Sequence, residues 1–365
     1  VDGQTRKVIL NWRFPCVDRP PMWALPEGTP TPWDATSDRE AERYRRLIEV
    51  FGPTELEDEP AVEDMEVTLL GTGDTTGTPT VGCSCDTCTE ARERGVERSR
   101  FSVHVENERT GESILIDLSP DFRQQFLTWD VPLPDAAVVT HIHFDHLDGL
   151  GNAYRVFDDL PVYAADTVDP ETGESVADTI RRKYDYLDRV SVHDVTPLAS
   201  TTVCGLELTL VPVEHPPLLC FGLVVEDPDT GATLSLSGDT SYDVADSSRE
   251  QLRDSDLFLA DGIVPASLCE HHPLGGSDHD ADGVPRSFGT KHMTREGAQA
   301  LAAELGADTT RLVHTAHYYP VEEAFAEPLA VDGEQYRIDE TGVTRLDTGS
   351  EPAGGEATHS EPTSD

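Results

Sequence analysis

The stretch VVTHIHFDHLDGLGN carries His141, His143, Asp145 and His146 as H-x-H-x-D-H, directly after an apolar run that reads as a buried strand. Imidazoles and carboxylates are ligands for borderline and hard divalent cations, and four of them within six residues suit a pair of ions. Gly149 and Gly151 are expected to let the backbone turn tightly behind the motif. Ordinary histidines of a polar surface loop are the plain alternative. Further candidate ligands close later apolar runs: His215 in VPVEHPP, Asp239 in LSLSGDTS and His314 in RLVHTAH. Each alone is more often a satisfied polar residue, but in series after H-x-H-x-D-H they extend one metal-binding set.

A second cluster, GCSCDTC, places Cys83, Cys85 and Cys88 within six residues of a chain with seven cysteines. Three thiolates select a soft cation, with zinc the expected one, and a closed tetrahedral site then needs a fourth ligand from elsewhere. A thiol-redox pair is the alternative; it is disfavoured because the C-x-x-C is expected in a loop after a lone strand, away from a helix entry. Cys16, Cys204, Cys220 and Cys269 show no ligand spacing and read as buried or incidental thiols, so no disulfide framework is expected.

Holding such residues together takes a scaffold, and the sequence between residues 65 and 346 has the alternation of short β-rich runs and amphipathic helices expected of an α/β domain. The expected strands are MEVTLLG, FSVHVE, SILIDL, AAVVT, PVYA, LELTLVPV, FGLVVE, ATLSLS, DLFLA and RLVH. Many end on a histidine or an aspartate, at the carboxyl ends where loops of α/β sheets gather ligands. Residues 1–64 read as an N-terminal extension and linker with Trp12, Trp23 and Trp33, a proline-rich stretch and one helical pattern, DREAERYRRLIEVFG. Residues 347–365, Gly, Ser, Pro and Glu with little to bury, read as a disordered acidic tail. The segment from 262 to 291, with His271, His272 and His279, reads by default as a solvated acidic loop, with a part in a substrate pocket as the alternative.

The charge narrows the partners. With 70 acidic against 27 basic residues the formal charge is -43, and only Lys7, Lys183 and Lys291 are lysines. Such a chain repels polyanions, which disfavours long nucleic acid and anionic membranes as partners. The same balance suggests a halophilic protein whose self-repulsion is screened by dense salt. No run approaches the ~18 apolar residues of a membrane span, and the first residues lack the apolar core of a signal peptide, so a cytoplasmic location is expected.

On H-x-H-x-D-H and the ligands that follow it, residues 65–320 resemble the metallo-β-lactamase superfamily. The resemblance implies an α/β fold, the αββα sandwich, and a dinuclear site of zinc or manganese. It would put His141, His143 and His215 on one ion and Asp145, His146 and His314 on the other, with Asp239 bridging and Asp117, in ILIDLSPDF, behind a ligating imidazole. The implied reaction is hydrolysis by a hydroxide shared between two divalent ions. A glycine-rich first loop carrying C-x-C-x-x-C narrows the resemblance to the PhnP-like cyclic phosphodiesterases. In that group a histidine three residues past the last active-site histidine completes a structural zinc site, which here is His317. A histidine before the late helix contacts phosphate or protonates the leaving group, which here is His292 in GTKHMTREGAQAL; with Asp145 it is the residue expected to act in catalysis. Capping of that helix is the alternative role for His292. The expected substrate is a small, cyclic phosphodiester, and a homodimer is possible. Hydrolysis of a thioester or lactone, tRNA 3'-end cleavage and a PqqB-like role in cofactor biosynthesis are the rival readings.

Overall fold

Apolar runs bounded by turn residues become strands wherever a second sheet can cover them, and each run singled out above lies on a strand. The computed structural model describes residues 64–279 and 281–346. The segments read as extension and tail, apart from residue 64, lie outside the described residues, as does Cys16.

In chain order the strands are β1 (Met65–Gly71), β2 (Ser102–Asn107), β3 (Glu112–Ile116), β4 (Ala136–Val139), β5 (Leu160–Ala165) and β6 (Val190–Val195). Then come β7 (Thr201–Val203), β8 (Leu206–His215), β9 (Leu218–Glu226), β10 (Thr233–Leu236) and β11 (Leu257–Asp261). The last are β12 (Gly276–His279), β13 (Pro285–Phe288), β14 (His292–Met293), β15 (Thr309–Val313), β16 (Gln335–Asp339) and β17 (Gly342–Leu346). An eight-stranded sheet runs β17-β16-β1-β2-β3-β4-β5-β6 and a six-stranded one β15-β11-β10-β9-β8-β7. Val67, Leu69, Val103, Ile114 and Val138 of the first form one continuous core with Leu208, Leu223, Leu234 and Leu257 of the second. Helices Phe122–Trp129 and Val176–Lys183 pack on the first sheet. Helix Arg295–Leu305 buries Ala298, Leu301, Ala302 and Leu305, a period-3.6 stripe, against Phe258, Ala260 and Leu312. Thr294 caps it by accepting the Gly297 N–H at 3.0 Å, and Gly297 is required because a Cβ there would lie 1.9 Å from the Arg286 carbonyl oxygen. The result is the αββα sandwich.

The parallel pairs matter most for the site. β3, β4, β5 and β6 run parallel, as do β10, β11 and β15, so several carboxyl ends open at one edge of the sandwich. Two expectations are corrected. The segment 262–291 is no plain solvated loop: β12, β13 and β14 form a small antiparallel sheet whose Phe288 packs with Ile263, Val264 and Cys269. The C-x-x-C does lie at a helix entry, because Cys85 is the N-cap of helix Asp86–Arg94.

A buried ion pair fastens the second sheet to the first. Arg311 on β15 grips Glu334 with two bonds of 3.0 and 2.6 Å, and the Tyr336 hydroxyl donates to the same carboxylate at 2.5 Å. Glu334→Gln would leave a buried guanidinium without its main counter-charge, so stability is expected to fall by about 3 kcal/mol. Chemical denaturation reads this as a lower midpoint at unchanged slope; a loss below about 1 kcal/mol would show the pair to be dispensable.

Candidate metal centres

His141 and His143 follow β4, His215 ends β8, Asp239 follows β10 and His314 follows β15, so the strand ends deliver these side chains to one place. Asp145 and His146 come from the four-residue helix Phe144–Leu147 that opens after His143. Gly149 lies behind this turn because a Cβ there would meet the Ser119 carbonyl oxygen at 2.1 Å; Gly151 faces open space and has no such requirement.

Two groups of ligand atoms form around one carboxylate. In the first, the His143 Nδ1 lies 3.0 Å from His141 Nε2 and 3.2 Å from His215 Nε2, and Asp239 joins them. In the second, His146 Nε2 is 3.6 Å from Asp145 Oδ2, and His314 Nε2 is 3.5 Å from the same oxygen. Asp239 Oδ2 is 3.4 Å from both of those nitrogens and 3.7 Å from His141 Nε2, so it faces both groups.

The outer ring nitrogens are already committed. His146 Nδ1 donates to Asp117 Oδ2 at 2.6 Å, and His215 Nδ1 donates to the Lys291 carbonyl at 3.0 Å. The Thr140 hydroxyl donates to Asp117 at 2.7 Å, which leaves its oxygen to accept from His141 Nδ1 at 3.1 Å. Each of these rings, when neutral, turns a lone pair inward; those of His141 and His215 both face His143 Nδ1, whose single proton can serve only one of them fully, whereas a cation among the three would satisfy all. His146 Nε2 and both nitrogens of His314 are buried without a hydrogen-bond partner. The residues thus fit divalent cations.

Electrostatics say the same. Burial, together with the neighbouring His146, drives the His141 pKa well below the usual imidazole value, and burial brings His215 down to about 4. For His146 and His314 burial works in the same direction but is outweighed, chiefly by Asp239, so His146 is held well above the usual value and His314 is raised to about 9. Burial would raise Asp145, but the His314 contact lowers it to about 2. In the cation-free cluster His146 and His314 therefore favour the protonated form, and divalent cations would displace those protons.

Asp117 and His314 both adopt left-handed backbone, at φ 59° and 55°. That conformation costs a non-glycine residue roughly 1 kcal/mol, and here it aims both side chains into the cluster. Two residues were not singled out from sequence. Asp261, at the end of β11 and 1% exposed, accepts from His292 Nδ1 at 2.8 Å and from the Thr240 N–H at 3.1 Å. Its signal was present in the rule that apolar runs end on acids. Thr140 had none beyond its place before His141. His292 itself does not cap the helix, a task Thr294 performs; a ring nitrogen of His292 lies within 4.8 Å of ligand atoms of Asp239 and His314.

The cysteine cluster also closes. Cys83, Cys85 and Cys88 each hold their Sγ 3.4 Å from His317 Nδ1. One nitrogen has a single proton or lone pair, so hydrogen bonding cannot serve three sulfurs at once. Tetrahedral zinc with ordinary bond lengths would set these separations near ~3.6 Å, so the residues fit zinc. Cys88 and Cys85 accept the Thr80 and Cys88 N–H groups at 3.3 and 3.4 Å. The same loop is stitched to the His314–His317 segment, since Thr315 N–H donates to the Thr72 carbonyl at 3.0 Å. A cavity of about 540 Å³ beside Trp129 and Gly333 lies elsewhere and includes none of these residues.

The beta-lactamase superfamily domain family matches residues 112–315. The crystal structure of a new diphosphatase from the PhnP family superposes with a TM-score of 0.59 at 26% identity, over 76% of this chain and 98% of that one. Zinc-bound PqqB from Methylobacterium extorquens shares the fold, with a TM-score of 0.59 at 20% identity over 74% and 99%. The octanoyltransferase of Porphyromonas gingivalis is 29% identical over 298 residues, 76% of this chain and 53% of that protein. The chain therefore spans about half the length of that curated relative. Among the described residues no helix is long and apolar enough to cross a membrane.

Proposed function

This chain belongs to the metallo-β-lactamase superfamily, in its PhnP-like group, and from that premise we propose that it is a dinuclear metal-dependent phosphodiesterase for small, cyclic phosphodiesters, with a separate structural zinc. The observation that carries the reading is the pair of ligand groups sharing Asp239. His141, His143 and His215 would hold one ion, Asp145, His146 and His314 the other, and Cys83, Cys85, Cys88 and His317 the zinc. Two divalent ions, zinc or manganese, would polarise the phosphoryl group, bring water to nucleophilic strength near neutral pH and offset charge in the transition state.

The chain's own residues do the rest. Asp117 fixes the His146 tautomer through the 2.6 Å bond and holds Thr140, which orients His141. Asp261 accepts a hydrogen bond from the His292 Nδ1–H, which would steady the doubly protonated ring whose Nε2–H passes its proton to the departing oxygen and leaves the Nδ1–H in place. A small ester suits the acidic chain better than a long nucleic acid does.

The test is hydrolysis of bis(p-nitrophenyl) phosphate and 2',3'-cyclic nucleotides against a lactone and an acyl thioester, in molar KCl with Mn or Zn. Phosphodiester turnover abolished by His143→Ala supports the reading, and turnover of the lactone or thioester alone overturns it. The thioester arm addresses the second reading, acyl-group hydrolysis, which the octanoyltransferase relative favours. His292→Ala is expected to lower kcat on the phosphodiester by about 10²–10⁴-fold with metal content retained. Unchanged kcat would remove His292 from proton transfer.

A further inference from the structure

Four carboxylates, Asp117, Asp145, Asp239 and Asp261, surround the ligand cluster, all buried. When ionised they carry as much negative charge as two divalent cations carry positive. The loaded centre is then close to neutral, inside a protein whose net charge of -43 opposes the approach of any anion. A neutral ester needs nothing further. A phosphodiester brings a negative charge that must be matched where it binds.

One side chain is placed to match it. Of the two lysines in the described region, Lys183 is paired with Asp148. Lys291 is half-buried, and among the described residues no carboxylate lies within ion-pairing distance of it. Its place is set by the ligand cluster, because its carbonyl accepts the His215 Nδ1–H at 3.0 Å and the next residue, His292, is held by Asp261 at 2.8 Å. Lys291 closes the turn between β13 and β14, directly beside the register pair Phe288–His292.

We infer that Lys291 is the anion-recognition residue of the active site, binding a phosphoryl oxygen of the substrate and selecting phosphodiesters over neutral esters. The inference rests on the phosphodiesterase reading and deepens it. An ammonium serves as a point charge on a flexible stem, so it can follow the phosphoryl group as its geometry changes. Arginine at the same position keeps the charge and the reach; methionine keeps the apolar stem and loses the charge.

The experiment uses the full chain loaded with manganese, with metal content measured on each sample. Lys291→Met is expected to lower kcat/KM for bis(p-nitrophenyl) phosphate about 10–100-fold more than for p-nitrophenyl acetate, and Lys291→Arg to recover most of the loss. Calorimetry with inorganic phosphate as the probe is expected to show roughly tenfold weaker binding for Lys291→Met than for the parent. Equal losses on both esters, unchanged phosphate affinity, or loss of metal from Lys291→Met would each overturn the role. If the parent hydrolyses no phosphodiester, the phosphodiesterase reading fails, while the phosphate-binding arm still reads Lys291 on its own.

Discussion

Asp239→Asn is expected to lower phosphodiester hydrolysis by at least about 10³-fold and to reduce the metal bound in the active centre below two ions per chain. Its carboxylate oxygen faces His146 and His314 at 3.4 Å and His141 at 3.7 Å, so it is the atom in both ligand groups. An amide keeps the shape but supplies no charge, and cations in a buried site lose a charge that no neighbouring water replaces. Asp145→Asn is the control, since Asp145 approaches His146 and His314 and belongs to one ligand group. Metal analysis on desalted protein should then find one group weakened for Asp145→Asn and both for Asp239→Asn. A variant Asp239→Asn that kept two ions and the parent rate would remove the shared-carboxylate arrangement.

The second large effect concerns stability as well as catalysis. Cys85→Ser is expected to lose the zinc and to cost several kcal/mol of stability, since a closed zinc site contributes on the order of 10 kcal/mol of binding energy that exists only in the folded chain. Cys85 has two tasks: its sulfur is one of three within 3.4 Å of His317, and it caps helix Asp86–Arg94. Serine retains the cap and removes the soft ligand, which separates the two. Burial lifts the Cys88 pKa to about 11, so without zinc that thiol stays protonated. His317 lies three residues from His314, in a segment bonded to the first loop through Thr72 and Thr315. Loss of zinc should therefore lower active-centre metal affinity too. Thermal melting and zinc analysis of Cys85→Ser decide this: full zinc and an unchanged Tm would show that the cysteines do not form a structural site.

The sandwich was legible because its central strands are buried on both faces, which writes itself as continuous apolar sequence such as ILI before Asp117 and AAVV before His141. Strands at the margins were not. β6, β16 and β17 are half-exposed and carry charged residues, as in QYRID and GVTRL, so their assignment comes from the neighbour they pair with. The sheet β12–β13–β14 was missed for the same reason, since its strands GSDH, PRSF and HM are short and mostly polar.

The same division runs through the site. H-x-H-x-D-H and C-x-C-x-x-C were readable because their ligand atoms come together through local backbone geometry alone. Which imidazole nitrogen faces inward was not, because each tautomer depends on a partner elsewhere: Asp117 is 29 residues from His146, and Lys291 is 76 from His215. Asp261 looked like any strand-end acid until His292, 31 residues on, was brought to 2.8 Å. Residue types and short spacings determined which chemistry the chain could support. The tertiary structure alone decided which atoms share a carboxylate, which protons are committed and where Lys291 stands, because those follow from burial and from contacts between distant strands.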